Sequence, residues 1–250
     1  MDNSRITRLA EDLTGKEYPR LEFLKNIQVF PDKVDTEIKV WIVDGQYIRT
    51  YVDEEFTNFG QHYRFPFIPE FEFWLDRENE NNESAYFIEH LITEWKLMKE
   101  GEEYDKAIEK ADEAEKNLRL KSRDISRVMD PVRKIVDPKM FRERLLKSLA
   151  NGNKVWLVHG DLIRSVLDID FTQGGHSLVY EFVPPGDIWI DNDLEWQERG
   201  FVILHEMNEL GKMQQGWDYD KAHENSSEIE LHCRHNIEDL HDALMGVGWA

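Results

Sequence analysis

Cysteine is almost missing from this chain: Cys233 is the only one among 250 residues. No disulfide can form within the chain, which fits a reducing compartment. Long apolar runs are missing as well. Nothing approaches the roughly 18 continuous apolar residues of a membrane span, and the first residues, MDNSRITRLAEDLTG, have no signal-peptide core. The expectation is a cytoplasmic protein that does not enter a membrane. Positive charge is scarce: 31 Lys and Arg stand against 51 Asp and Glu, a formal net charge of −20. That field repels phosphate backbones and anionic lipid, so neither nucleic acid nor a membrane is an expected partner. An acidic surface leaves room for a protein partner, although most such charge only solvates a surface. There is also no G-x-G-x-x-G, no Walker loop and no nucleophile elbow. The signatures of dinucleotide binding, phosphate cradling and serine hydrolysis are thereby absent.

What is present is ample apolar material: 40% hydrophobic and 12% aromatic residues, with eight Trp. That suffices for a packed core in one large domain or two ordinary ones. The organising feature is an internal repeat. KVWIVDGQYIRTYVDEEFTNFG from Lys39 returns as KVWLVHGDLIRSVLDIDFTQGG from Lys154, and the match runs without a net gap to YDKAIEKADEAEKNLR against YDKAHENSSEIELHCR. About 30 of the 81 paired positions are identical, where unrelated sequence of average composition gives roughly a sixth as many. The chain is therefore expected to be a tandem duplication, with copy one over 1–122 and copy two over 123–250. KSRDISRVMDPVRKIVDPKMFRERLLKSLANGN joins them and reads as a helix, a proline-interrupted turn and a helix ending near Asn151-Gly152. YPRLEFLKNIQVFPDK is a faint counterpart ahead of copy one. Two copies at so long a period do not make a solenoid.

The repeat unit reads as α+β: short antiparallel β-strands followed by a two-helix hairpin. KVWLVHGDLIRSVLDI reads as two β-rich runs around a glycine turn, and its partner carries the Asp44-Gly45 pair favoured in hairpins. The loop DFTQGGH follows, and then LVYEFVPPGDIWID, two short strands broken at Pro184-Pro185-Gly186. One helix is expected from about Glu198 to Gln215, stopping at Gly216. A second opens after Asp218, a good N-cap, and runs to about Arg234. NIEDLHDALMGVGWA reads as a short docking helix.

Chemistry concentrates in HEMNE, residues 205–209. His205 and Glu209 lie four apart, on one helix face. Phe201 and Met213 extend the stripe, so the face is apolar, where a carboxylate is costly unless paired or metal-bound. His223, on the next helix, falls opposite this pair if the two helices pack antiparallel. Two imidazoles and one carboxylate with an open position form a common catalytic zinc set, and they equally suit non-haem iron. The duplicate is an internal control. Copy one keeps His90 and Glu94 but has Leu91 for Glu206 and Ile108 for His223. A working copy beside a structural one accounts for this, although the retained pair also admits a structural His–Glu pair without metal, in a non-catalytic acidic interaction protein. His176 ends the glycine loop that opens at Asp170 and reads first as a turn His near the surface, with a further metal ligand or a substrate contact as its functional readings. His176 and Asp170 are both candidates for a substrate contact or for supporting the ligands. Asp191 and Asp76 recur and are expected to hold strand geometry. His232, Cys233 and His235 suggest a Cys–His cluster only weakly, for want of a second Cys. Glu228 and Glu230 recur as Glu113 and Glu115 and read chiefly as helix charge, within reach of a metal from the side of His223.

HEMNE resembles the active-site helix of zincin metallopeptidases, an HExxE variant of their H-E-x-x-H, over this helix and His223 alone. The wider pattern, DFTxGGH … IWID … LHExxE … YDxAH, resembles a family of bacterial and phage proteins of unassigned function. In zincins both His of the motif bind zinc and the intervening Glu is the base. The resemblance implies His205 as a ligand and Glu206, which points off the shared face, as the base. It also implies a peptide or small-molecule substrate. Glu209 departs from the pattern by standing where the second His belongs.

Overall fold

The computed structural model describes residues 38–78, 80–122, 124–128 and 136–249. The faint counterpart segment ahead of copy one lies outside them. The chain forms two compact units, Met1–Lys121 and Ser122–Ala250, and each combines helices with a small mixed sheet.

In the first unit β1 (Lys39–Val43) leads into α1 (Gly45–Tyr51), followed by β2 (Phe59–Gly60), β3 (Glu72–Asp76), α2 (Glu80–Lys99) and α3 (Tyr104–Arg119). The second unit has two short 3-10 turns, Asp124–Arg127 and Pro138–Phe141, ahead of β4 (Arg142–Ser148). It then repeats the series as β5 (Lys154–Val158), α4 (Gly160–Val166), β6 (Gly174–His176), β7 (Asp187–Asp191), α5 (Trp196–Gln214) and α6 (Tyr219–His235). A short α7 (Leu240–Gly246) follows and packs Leu240, Ala243 and Leu244 beside Phe201, Leu204 and Cys233, as a docking helix should.

The α+β duplication and the two-helix hairpins match the sequence. The strand pairing is more mixed than an antiparallel reading. β2–β3, β4–β5 and β6–β7 are antiparallel, but β1–β3 and β5–β7 are parallel. The cause lies at the expected glycine hairpins, which do not form. After β1 the chain turns into α1, whose N-cap Asp44 accepts the Tyr47 N–H at 3.0 Å. IRTYV and IRSVL, read as strands, are thus largely helix. Gly45 and Gly160 are needed for a different reason. A Cβ at either would stand 1.9 or 2.0 Å from a carboxylate oxygen of Asp76 or Asp191. Those aspartates anchor buried arginines: Arg49 Nη1 meets Asp76 at 2.7 Å, and Arg164 Nη1 meets Asp191 at 2.7 Å.

Two further segments depart from the reading. LVYEFV, before Pro184, forms turns rather than a strand, because its aromatics pack locally: Tyr180 against Phe182 with ring centres 5.1 Å apart, and Phe182 against Trp189 at 5.9 Å. FRERLLKSLA, read as helix, is the edge strand β4, paired antiparallel to β5 with register shifts after Arg142 and Leu145. Tertiary pairing overrides its helical propensity.

β3 and β7 are buried at all five positions, as strands covered on both faces are. In the second unit Val155, Leu157, Ile188 and Ile190 meet Val202, Ile203 and Met207 of α5. Trp189 faces the opposite side with Phe141, Ile163 and Phe171. The hairpin α5–α6 turns at Gly216, whose φ of +91° is open chiefly to glycine. Trp217 N–H bonds Lys212 O and Gly216 N–H bonds Met213 O, and the same pair recurs around Gly101 (φ +91°). This closure sets α6 against α5. Asn208 locks the register by donating to Asn225 at 3.1 Å and Ser226 at 3.0 Å. No helix among the described residues is long and apolar enough to cross a membrane.

Candidate metal centre

Every residue of α5 from Phe201 to Leu210 is buried. A helix covered on all sides must pair its polar groups or bind something with them. Three polar atoms converge there. His223 Nδ1 stands 2.8 Å from Glu209 Oε2 and 3.1 Å from His205 Nε2, and His205 Nε2 stands 3.5 Å from the same Glu209 oxygen. Ligands about 2.1 Å from a tetrahedral ion are roughly 3.4 Å apart, so the spacing suits one ion. His205, Glu209 and His223 form a group that could hold a metal ion. The His223 side chain is 36% exposed, which leaves the group open to solvent on one side.

A chain of buried charges fixes the His205 ring. His205 Nδ1 lies 2.8 Å from Glu230 Oε2, and Arg234 Nε donates to Glu230 Oε1 at 2.8 Å. Arg234 then grips Glu198 through both terminal nitrogens, at 2.5 and 3.0 Å. Burial raises the Glu230 carboxyl, but Arg234 and His205 outweigh it and hold it down at about 2. An ionised Glu230 only accepts, so His205 Nδ1 carries a proton and Nε2 is the ligating atom. Burial disfavours the charged His205 ring, yet its contacts with Glu209 and Glu230 push its pKa up to about 10. Metal binding must therefore displace the Nε2 proton.

Glu206 lies on the neighbouring face, 9% exposed. Burial pushes its pKa up to about 7, against the pull of the His205 and His176 rings. Glu209 is the reverse case: burial raises its pKa, but His176, His205 and His223 carry it far below the carboxylate range. His176, fully buried, places Nε2 obliquely 2.9 Å from Glu209 Oε1. With Glu206 and Glu209 it forms a second group of closely spaced ligand atoms. Gly174 permits this approach of β6 to α5, because a Cβ there would stand 2.8 Å from Val202 and 3.2 Å from Glu206 Cγ.

Four predicted site residues on α5 and α6 thus come together, and His176 joins them. Asp170 does not: it is exposed in its loop, its N–H on the Asp168 carboxylate, outside both groups. Cys233 is buried beside Phe201 and Leu204, while His232 pairs with Asp239 at 2.9 Å. Asp191 holds Arg164, in keeping with a structural part. Sequence reasoning missed how Glu230, Arg234 and Glu198 act, although Glu230–Arg234 repeats as Glu115–Arg119 at the same four-residue spacing. It also missed Tyr180, whose ring occupies the space left by Gly175, 2.5 Å from where a Cβ would stand. Burial and the Glu206 charge raise its phenol pKa.

Copy one holds the same frame without the site. His90 Nδ1 lies 3.0 Å from Glu115, and Arg119 meets Glu115 at 2.7 Å and Glu83 at 2.6 Å. Yet Ile108, Leu91 and Phe65 stand where copy two has His223, Glu206 and Tyr180. Glu94 reflects the loss: burial raises its carboxyl above the usual value, whereas Glu209 is depressed. Comparison with protein-family models, curated proteins and solved structures finds no match for this chain.

Proposed function

We propose that copy two is a metal-dependent hydrolase acting as a zincin-like peptidase, with zinc as its ion. The observation that carries this reading is the convergence of His205 Nε2, His223 Nδ1 and Glu209 Oε2 within 3.5 Å of one another, the first of them oriented by a carboxylate. That donor set fits a catalytic zinc with one position left for water or substrate. Such an ion acts as a Lewis acid and brings the pKa of a coordinated water towards about 7. Glu206 supplies what the ion does not. Its carboxyl, at about 7, is matched to taking a proton from water near neutrality and passing it to a leaving amine. Glu230 and Arg234 keep the His205 ring aligned. The buried face of α5 limits competing water.

Metal analysis of the purified full chain, beside His223→Ala and Glu206→Gln, tests the assignment. One zinc per chain is expected in the wild type, lost in His223→Ala and kept in Glu206→Gln. Cleavage of a mixed peptide library should be lost in both variants. A wild type that stays metal-free and resists reconstitution would refute the reading and leave a structural His–Glu network in an acidic interaction protein. Bound iron in place of zinc would assign the two-His, one-carboxylate set to non-haem iron chemistry.

A further inference from the structure

His176 belongs to a second group of candidate ligand atoms, with Glu206 and Glu209, all within 4.8 Å of one another. Read alone, that group suggests a second ion, with Glu209 bridging two metals. The backbone argues otherwise. The Leu178 N–H donates to His176 Nδ1 at 3.2 Å, so Nδ1 must carry the lone pair and a neutral ring must carry its proton on Nε2. An Nε2–H cannot ligate a cation. It can only donate, and Glu209 Oε1 stands 2.9 Å from it, off the ideal N–H axis yet close enough to draw the Glu209 carboxyl down.

Copy one repeats this arrangement with different chemistry. Gln61 occupies the position of His176 and is likewise fully buried. Its Oε1 accepts the N–H of Tyr63, the counterpart of Leu178, at 3.4 Å. Its side chain counteracts the effect of burial on the carboxyl of Glu94, the counterpart of Glu209, although neither its amide nitrogen nor Glu94 Oε1 completes a hydrogen bond of good geometry. Gln and His are alike in one respect here: each offers an acceptor towards the backbone and a donor about 2 Å further out. A donor towards the helix carboxylate is thus present in the copy that lacks His223 and Glu206. Its placement does not depend on a metal site.

We propose that His176 is a positioning residue and not a ligand: its Nε2–H holds Glu209 Oε1, so that Oε2 alone is presented to the ion shared with His205 and His223. The proposal rests on the metal-site reading above and restricts it to one ion per chain. Holding one carboxylate oxygen fixes Glu209 in single-oxygen ligation. It also keeps Glu209 from rotating towards Glu206, which stays free for proton transfer.

Zinc and cobalt titrations of the full chain, with His176→Gln and His176→Leu, test this. The glutamine variant reproduces copy one and should bind within about threefold of wild type, whereas the leucine variant should bind about 10–100-fold more weakly, the usual cost of losing a partner behind a ligand. Both should hold one ion, with the cobalt absorption spectrum unchanged in the glutamine variant. Nitrogen-15 NMR of the metal-free wild type should show the His176 proton on Nε2. Equal losses in both variants, a changed cobalt spectrum in His176→Gln, two ions per chain, or a proton on Nδ1 would each overturn the assignment while leaving a metal site in place. A wild type that binds neither ion overturns the metal reading and this one with it.

Discussion

Glu230→Gln is the most informative single substitution outside the candidate ligands. It keeps the side chain's shape and removes one acceptor. In the wild type the two oxygens serve different partners: Oε2 faces His205 Nδ1 at 2.8 Å, and Oε1 receives Arg234 Nε at 2.8 Å with Nη2 at 2.7 Å. A glutamine has one oxygen, so an NH₂ group must face one of the two. If it faces His205, the ring is driven to the other tautomer, with the proton on the ligating Nε2. If it faces Arg234, a buried donor is orphaned at a cost of about 1–3 kcal/mol of stability. Losing the neutralising charge also makes the Nε2 proton easier to displace, which favours metal. Measured losses for carboxylates behind ligating histidines already contain that opposing effect and run at about 10–100-fold. Tenfold, or about 1.4 kcal/mol, is therefore the minimum expected. Competition for zinc against a chromophoric chelator at fixed pH reads the affinity, and urea unfolding reads the stability. Glu115→Gln in copy one is the matched control. It disturbs the equivalent His90–Glu115–Arg119 chain, so it should lower stability and leave zinc affinity untouched. Zinc binding by Glu230→Gln within threefold of wild type would refute the claim that this carboxylate orients His205.

Three other outcomes follow from the geometry. Introducing the copy-one residue by His223→Ile should abolish zinc binding without unfolding the hairpin, because Ile108 occupies the same place in a folded α3; circular dichroism and metal analysis together check both halves. Replacing Glu206 by Leu, the residue of copy one, should stabilise the metal-free chain at pH 8 by on the order of 3 kcal/mol. The folded pKa near 7 exceeds the ordinary 4.5, so the folded state binds the extra proton, and the penalty of Glu206 grows as pH rises from about 4.5 to 7. The gain should vanish below pH 4.5, and a pH-independent difference in urea midpoints would contradict this origin. Gly160→Ala should cost about 3–5 kcal/mol, because its Cβ would fall 2.0 Å from Asp191 and displace that carboxylate from buried Arg164; an unchanged urea midpoint would show that the pair can shift freely.

The repeat made much of the fold legible. A long, gap-free match carries equivalent residues to equivalent places, and the helix ends at Gly216 and Asp218 were readable because capping chemistry is local. Strand identity was not local. IRSV has the β-branched residues of a strand, yet Arg164 reaches Asp191 only when that stretch coils into α4. FRERLLKSLA has helical composition, yet it supplies the free edge of the sheet beside β5. In the site, the stripe of His205 and Glu209 was visible because helical spacing is fixed by the backbone. Glu230 was not, because its meaning depends on which face of α6 packs on α5.

By itself the sequence determined the duplication, the acidic charge, the α+β composition and the residues that differ between copies. Those follow from residue identity and short-range periodicity. Only the tertiary structure decided the parallel pairing at the centre of each sheet, the Glu198–Arg234–Glu230–His205 chain and the side of the His176 ring that faces Glu209. Each depends on groups far apart in sequence meeting where water is excluded, and there a buried charge or donor has few partners and one consistent arrangement.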